Sequence, residues 1–366
     1  MAEMGSIVSA ETLLNFCVRV FEKMGVPGED AQITADVLVQ ANLRGIDSHG
    51  VARLARYVNG LRGGVMLAQP EEKVVVETPT TITLDAGAGL GQPVSYRAMR
   101  AAIEKAKAYG CGFATVRNSN HYGIAGYYAM MALEQDMIGI STTNAAVLVV
   151  PTFGRDAMYG TNPIALAVPA GKERPFVMDM ATSTVPRGKL EVYDRQEKPL
   201  PMGWATDERG VPTSDARRVL DNFAKLAGGG LLPLGGAGEE FSGYKGYGMG
   251  LMVEILSALL PGAAFLTSVY PKGADGKPRP ANLGHFFGAW RLDAFRPAEE
   301  FKADMDRLIS ELRGGNLAEG ATRIYVHGEK EFEEAERRAK QGIPLGAKVE
   351  ASLKQIAADL GIEYDL

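Results

Sequence analysis

The sequence predicts an α/β protein in which a central region of alternating strands and helices is flanked by helical segments on both sides. Three observations predict it. Up to residue 72 the apolar residues recur at helical spacing, from 73 to 296 short β-branched runs alternate with helical stretches, and from 297 to 366 the helical pattern returns. At 366 residues the chain has room for two packed domains. The changes of texture divide it into a helical domain from 1–72 and 297–366, its late helices expected to pack on the early ones, and an α/β domain from 73–296.

Each element has a local cause. Ser9-Ala10-Glu11-Thr12, followed by Leu13, Leu14, Phe16, Cys17, Val20 and Phe21, reads as a capped amphipathic helix. A second helix starts near Pro27 or Asp30 and carries Ile33, Val37, Leu38 and Ala41 towards Ser48. Lys73 to Val76 and Thr80 to Leu84 are strand-like, with Glu77-Thr78-Pro79 as the turn between them. Helical stretches at Val94 to Tyr109, Gly123 to Gln135 and Gly248 to Leu260 then alternate with strand-like runs at Gly112 to Val116, Ile138 to Thr142, Ile164 to Val168 and Pro175 to Met178. Helices return at Pro297 to Arg313, Glu331 to Gln341 and Ala347 to Leu360.

Composition narrows the function classes. An apolar fraction of 46% and a charged fraction of 23% are those of a soluble globular protein. The net charge of -5 is spread along the chain without a basic run, so no nucleic-acid partner is expected. Cys17 and Cys111 are the only cysteines, far apart, which points away from a disulfide framework or a zinc knuckle and towards a reducing, cytoplasmic compartment. Residues 1–9 lack a basic region followed by an apolar core, and no apolar run approaches the roughly 20 residues that span a bilayer, so no membrane association is expected.

Chemistry concentrates in a few runs. In Arg44-Gly45-Ile46-Asp47-Ser48-His49-Gly50-Val51-Ala52-Arg53 an imidazole stands beside a hydroxyl with a guanidinium four residues on, a set that can move a proton while a carboxylate is held. Gly87-Ala88-Gly89-Leu90-Gly91 follows a strand and precedes a helix, yet its spacing is wrong for a Rossmann fingerprint, Pro93 follows, and no acid suited to a ribose ends the next strand, so it reads as a tight turn. Asn118-Ser119-Asn120-His121-Tyr122-Gly123 places a second imidazole between strand and helix. Gly160-Thr161-Asn162-Pro163 is a polar turn entering a strand, and Met178-Asp179-Met180-Ala181-Thr182-Ser183 is a strand end with an acid and hydroxyls for ribose or phosphate. In Gly243-Tyr244-Lys245-Gly246-Tyr247-Gly248 a lysine between glycines opens a helix, a good anion site.

In this order and spacing, these motifs resemble the malate/L-lactate dehydrogenase-like oxidoreductase family, which also holds ureidoglycolate dehydrogenase, diketogulonate reductase, sulfolactate dehydrogenase and piperideine-2-carboxylate reductase. The resemblance runs from the first helices to Arg323-Ile324-Tyr325-Val326-His327-Gly328-Glu329. It implies a non-Rossmann NAD(P)-binding domain with a mostly antiparallel sheet, and a homodimer with active sites near the subunit interface. It implies substrate and proton-transfer roles for Ser48, His49, Arg53, Tyr57 and His121, with either histidine as the proton carrier. For the cofactor it nominates His121, Asn162, Asp179, Met180, Ala181, Thr182, Lys245, Gly246, His327, Gly328 and Glu329. His49, Arg53 and Tyr57 are spaced to share one helix face, with Arg53 as carboxylate clamp and Tyr57 and Ser48 bonding the rest of the substrate.

Plainer roles stand beside these. A lone helix histidine is usually structural, Arg53 alone would be a surface ion-pair partner, Tyr57 a core aromatic, Asp179 a cap, Lys245 a loop lysine and Glu329 to Glu336 a solvated face. His285, in an apolar strand-like run, reads as structural. Two departures from the family pattern bear on ligands. Ala145-Ala146-Val147-Leu148 makes an apolar pocket wall, which disfavours ureidoglycolate, and His327 replaces a common proline. Glu329 is placed to accept from ribose hydroxyls and repel a 2′-phosphate, which favours NADH while NADPH stays open.

The expected activity is therefore metal-independent hydride transfer between NAD(P)H and a small 2-oxo acid or its L-2-hydroxy acid, of the malate, lactate or sulfolactate kind. The first alternative reduces a cyclic imino acid or a diketo sugar acid. A different class is a serine hydrolase built on Ser48 and a histidine. Ser48 and His49 are expected to point apart on a helix, which leaves His121 as the only base that could approach.

Overall fold

The computed structural model describes residues 4–366. The chain starts with strand β1 (Met4–Val8) and helices α1 (Ala10–Lys23) and α2 (Gly28–Leu43). As the sequence predicts, Ser9 caps α1, its Oγ accepting from the Thr12 N–H at 3.0 Å. However, α2 stops short of Ser48. Arg44 closes it and Gly45 follows at φ +76°, a left-handed conformation that glycine adopts without a Cβ clash.

The chain then makes two 3-10 turns, Asp47–His49 and Val51–Arg53, before α3 (Leu54–Arg62). Gly50 separates them because a Cβ there would lie 2.1 Å from Asn42 Oδ1, which accepts the Val51 N–H at 2.8 Å. The shared helix face expected for His49, Arg53 and Tyr57 is thereby corrected, since only Tyr57 lies within regular helix.

The middle of the chain supplies β2 (Lys73–Glu77), β3 (Thr81–Asp85), α4 (Gly91–Tyr109), β4 (Cys111–Ser119), α5 (Ala125–Met130), β5 (Met137–Thr143), β6 (Ile164–Val168) and β7 (Phe176–Met180). It continues with α6 (Arg187–Arg195), β8 (Ala205–Thr206), α7 (Ala216–Lys225), β9 (Gly230–Leu231), α8 (Gly243–Glu254) and β10 (Leu283–Arg291). Seven strands form one sheet in the order β2-β3-β4-β10-β5-β6-β7. Every neighbouring pair is antiparallel except β3 with β4, whose parallel pairing is made possible by the α4 crossover between them. The sheet is mixed and mostly antiparallel.

The glycine turn behaves as a seat for the histidine segment. Asn120 Nδ2 donates to the carbonyls of Ala88 and Gly89 at 3.1 and 2.8 Å, and a Cβ on Gly91 would lie 2.3 Å from the Asn120 carbonyl oxygen.

The last elements are α9 (Ala298–Arg313), α10 (Glu329–Gln341), β11 (Ile343–Gly346) and α11 (Ala347–Leu360). One hydrophobic cluster joins Leu13, Phe16, Phe21, Leu38, Leu54 and Tyr57 to Ile343, Leu345, Leu353 and Ile356, so α11 packs on the early helices. Each such side chain, fully buried, is worth about 1.5–3 kcal/mol. By contrast α9 docks on the turn between β6 and β7, where Asp306 accepts from the backbone N–H groups of Gly171, Lys172 and Glu173. A second cluster under α4 and α5 holds Met99, Val116, Tyr122, Tyr128 and Phe287. β1 pairs antiparallel with β11, Ile7 opposite Pro344, an element too short to show as a sequence pattern. Among the described residues no helix is long and apolar enough to cross a membrane.

Candidate active site

Two imidazoles meet where α3 faces the turn after β4. Tyr57, fully buried in the early cluster, places its hydroxyl 2.7 Å from His121 Nδ1, and the Gly123 N–H points at the same nitrogen from 3.3 Å. An amide N–H can only donate, so Nδ1 is an acceptor, the Tyr57 hydroxyl donates to it, and the neutral ring carries its proton on Nε2. That assignment follows from the bonding pattern. Tyr57 thus holds the imidazole, and the substrate-binding role expected for its hydroxyl is corrected.

His49 stacks on His121 with ring centroids 5.7 Å apart and planes 21° from parallel. Ser48 Oγ lies 3.0 Å from His49 Nδ1, so these two neighbours do not point apart as expected; the tight 3-10 turn brings them together. Arg53 Nε donates to the Ser48 carbonyl at 2.6 Å, which braces the turn and leaves both terminal guanidinium nitrogens without a partner among the described residues.

The electrostatics of this pair are unbalanced. Burial first, then the charges of Arg53 and Arg56, push His49 down to about 4. Burial, Arg56, His49 and Arg53 hold His121 well below the usual histidine range. Both rings are therefore neutral at pH 7. Neither Arg53 nor Arg56 has a carboxylate within ion-pair distance among the described residues; Arg56 donates instead to the Tyr270 hydroxyl at 2.6 Å. Two cations without counter-ions beside two neutral imidazoles form a site for an anion. The Ser48–His49 contact joins two chain neighbours within one tight turn, and no third side chain orients His49 as the base of a nucleophile pair among the described residues. Arg56 and Tyr270 escaped the sequence reading.

The nominated cofactor residues fall into two groups. Asp179 on β7, His327 and Gly328 line a cavity of about 260 Å³ with Arg44, Ile46, Ile124, Val177, Tyr325, Lys330 and Glu331. Asp179 caps α5, its Oδ2 accepting from the Gly126 N–H at 2.7 Å while Oδ1 has no partner among the described residues. Its carboxyl is open to the cavity yet ringed by protein, and this enclosure raises it to about 6 against the pull of the Gly126 N–H and Arg44. An acid with a spare oxygen on a cavity of mixed polar and apolar walls can accept from a ligand hydroxyl. Arg44 and Lys330 are turned onto the rings of Phe332 and Tyr325, 4.5 and 4.4 Å from their centroids.

The second group is a packed body. Asn162 is fully buried, its Nδ2 donating to the Gly250 carbonyl and to Glu254 at 3.1 and 3.0 Å and its Oδ1 accepting from the Ala145 N–H. Thr182 is equally buried and its carbonyl accepts the Leu234 N–H at 2.8 Å, while a Cβ on Gly246 would collide with Leu234 at 2.3 Å. Met180 ends β7 and Ala181 leads into Thr182. Only Lys245, exposed in the first turn of α8, keeps a free head group here.

Glu329 is misread by the sequence. It is buried, its carboxylate bonding the Val326 N–H at 3.0 Å, Arg313 Nε at 2.6 Å and Arg323 Nη2 at 3.0 Å, so it has no lone pair to spare for a ribose. His285 is structural as expected, with Nδ1 2.7 Å from Thr143 Oγ1 and Nε2 2.8 Å from Ser119 Oγ.

Comparison with known proteins follows this geometry. The sequence pattern of the malate/L-lactate dehydrogenase family matches residues 8–354. Malate dehydrogenase of Pyrococcus horikoshii is 49% identical over 356 residues, 97% of this chain and 96% of that one. The L-sulfolactate dehydrogenase of Methanocaldococcus jannaschii is 39% identical, covering 98% of each chain. The crystal structure of malate dehydrogenase from Entamoeba histolytica superposes with a TM-score of 0.94 at 36% identity, covering 99% of each chain. The chain belongs to the malate/L-lactate dehydrogenase family of NAD(P)-dependent 2-hydroxy acid oxidoreductases.

Proposed function

We propose that this protein transfers a hydride between NAD(P)H and the carbonyl carbon of a small 2-oxo acid, giving an L-2-hydroxy acid of the malate or sulfolactate kind. The observation that carries the reading is His121, held through Nδ1 with its Nε2 open among the described residues, beside an Arg53 whose guanidinium fork has no carboxylate partner among them. The fork takes the substrate's carboxylate in two parallel bonds. Burial first and then the arginine charges keep His121 neutral; the arriving carboxylate cancels part of the arginine share and so favours proton uptake by the imidazole as the substrate binds. His121 then gives the Nε2 proton to the carbonyl oxygen as the nicotinamide supplies the hydride, and in the reverse direction the neutral ring accepts that proton. The Tyr57 hydroxyl can rotate, donating to Nδ1 when the ring is neutral and accepting from Nδ1–H when it is charged. His49 packs behind as the stacked neighbour.

Asp179, His327 and Gly328 would hold the adenosine end of the cofactor, and Lys245 with the first turn of α8 the phosphates. Asp179 takes over the ribose-accepting role that Glu329 cannot fill. With Arg44 and Lys330 occupied by aromatic faces, the open carboxylates of Asp179 and Glu331 favour NADH over NADPH. A homodimer is supported by the exposed apolar run Met252, Ile255, Leu259 and Leu260 that continues from α8, the helix that also carries Lys245. A second copy covering this run would bring the interface to the cofactor site. Sedimentation as a monomer at micromolar concentration would remove that part. Two free cysteines, Cys17 buried, suit a cytoplasmic setting.

The test is loss of nicotinamide absorbance with NADH and with NADPH against oxaloacetate, sulfopyruvate, pyruvate and piperideine-2-carboxylate. Turnover of at least one 2-oxo acid is expected, with NADH used in preference. Turnover of the cyclic imine alone would replace the carbonyl reading with the imine one.

A further inference from the structure

Arg56 stands three residues after Arg53 and one before Tyr57, on the same entry into α3 that holds His121. It is half-buried, and no aspartate or glutamate pairs with it among the described residues. What holds it is a phenol. Its Nη2 donates to the Tyr270 hydroxyl at 2.6 Å, with the guanidinium carbon 5.7 Å from the ring centroid. Tyr270 reaches in from the loop between α8 and β10, with its backbone at φ +55°, a conformation a bulky side chain adopts only against strain. Its ring is seated on the cluster of Val269, Ala281 and Leu283, which Val147 from the apolar run the sequence singles out also packs against.

The choice of partner has a consequence. A carboxylate in place of Tyr270 would have neutralised Arg56, whereas a neutral hydroxyl fixes the direction of the guanidinium and leaves its full charge and remaining N–H groups available. The charge reaches the reacting centre, since Arg56 ranks first among the charged groups acting on His121 and second to Arg53 on His49. A mono-acid needs one clamp, and Arg53 supplies it. A second guanidinium on the same short segment, held by a phenol and uncompensated by any carboxylate among the described residues, is suited to a second anionic group.

We propose that Arg56, positioned by Tyr270, binds the distal acid group of the substrate, so that this pair selects 2-oxo acids bearing a second carboxylate or sulfonate over mono-acids such as pyruvate. The assignment rests on the 2-oxo acid reading above and adds which residue chooses among such acids. Arg56 touches substrate; Tyr270 is a positioning residue.

The experiment measures kcat/KM with NADH for oxaloacetate and for pyruvate in the wild type, Arg56→Gln, Arg56→Lys and Tyr270→Phe, with NADH affinity by fluorescence as the control for folding. Arg56→Gln is expected to lower the oxaloacetate-to-pyruvate ratio of kcat/KM by roughly 100-fold, chiefly through the KM for oxaloacetate, the loss expected of one charge-assisted clamp; any change the lost charge makes at His121 acts on both acids alike and cancels in the ratio. Arg56→Lys restores part of the oxaloacetate activity. Tyr270→Phe lowers it by about fivefold and leaves pyruvate in place, and this variant decides the matter should Arg56→Gln fail to bind NADH. Equal losses for the two acids overturn the assignment, as does a wild type that reduces pyruvate as well as oxaloacetate; both outcomes leave the dehydrogenase reading standing. A wild type that binds NADH but reduces neither acid overturns that reading, and the Arg56 assignment with it.

Discussion

His121 precedes Tyr122 in the chain and His285 stacks on its ring, and burial pushes both histidines below the usual range. They differ in what their ring nitrogens have left to do. His285 spends both, on Thr143 and Ser119, and stacks on Tyr122 at 4.6 Å with planes 9° apart. His121 spends Nδ1 on Tyr57 and Gly123 and has no partner for Nε2 among the described residues. Burial and a shifted pKa are thus shared by a structural residue and the proposed proton carrier, and the unfinished bond separates them. The arginines repeat the lesson. Arg338 is closed by Asp47 and Glu334, and Arg313 by Glu173 and Glu329, whereas Arg53 and Arg56 have no carboxylate within ion-pair distance among the described residues.

The contrast can be broken by experiment. His121→Gln should lower kcat at least about 100-fold with little change in NADH affinity, while His285→Ala should lower the melting temperature by several degrees, through two lost buried hydrogen bonds and the space the ring leaves, and leave KM within a factor of about two. A larger kcat loss at His285 than at His121 would reverse the assignment. Next in size, Arg53→Ala should raise KM for the 2-oxo acid about 100-fold and change kcat less; a loss confined to kcat would take Arg53 off the carboxylate. Tyr57→Phe should cost about tenfold in kcat and sharpen the picture of Nδ1. The hydroxyl donates to the neutral ring and so favours it; without that bond the folded pKa of His121 rises, and the pH above which reduction declines moves upward. An unmoved or downward profile would contradict the tautomer. Smallest, Lys245→Ala should weaken NADH about three- to tenfold, because an exposed lysine at a helix start contributes modestly, and more so at low salt.

Much of the fold is legible because periodicity is local. The β-branched runs before and after Pro79, the Ser9 cap and the apolar runs of β4, β5, β6 and β7 announce themselves within a few residues. The shared face of His49, Arg53 and Tyr57 fails because a motif spaced for a helix passes through Gly45 and Gly50, and the demand for glycine at 50 comes from the Asn42 side chain, invisible at motif range. Glu329 fails for a related reason: its partners Arg313 and Arg323 lie 16 and 6 residues away, and nothing in a glutamate-rich run says that one member turns inward. Arg56 is hidden because an unpaired arginine and a surface arginine have the same spelling; Tyr270, 214 residues on, makes the difference.

The turn that carries His49 is fastened from far downstream. Arg338 Nη1 bonds both the Asn42 carbonyl and Asp47 Oδ1 at 2.7 Å, and the early cluster is closed by Ile343, Leu345, Leu353 and Ile356. On the ribosome, residues 44–57 therefore emerge nearly three hundred residues before the groups that shape them. The nascent chain can pair strands as they appear, whereas the turn that bears His49 gains its Arg338 clamp, and the early cluster its α11 side, only after those late segments leave the exit tunnel.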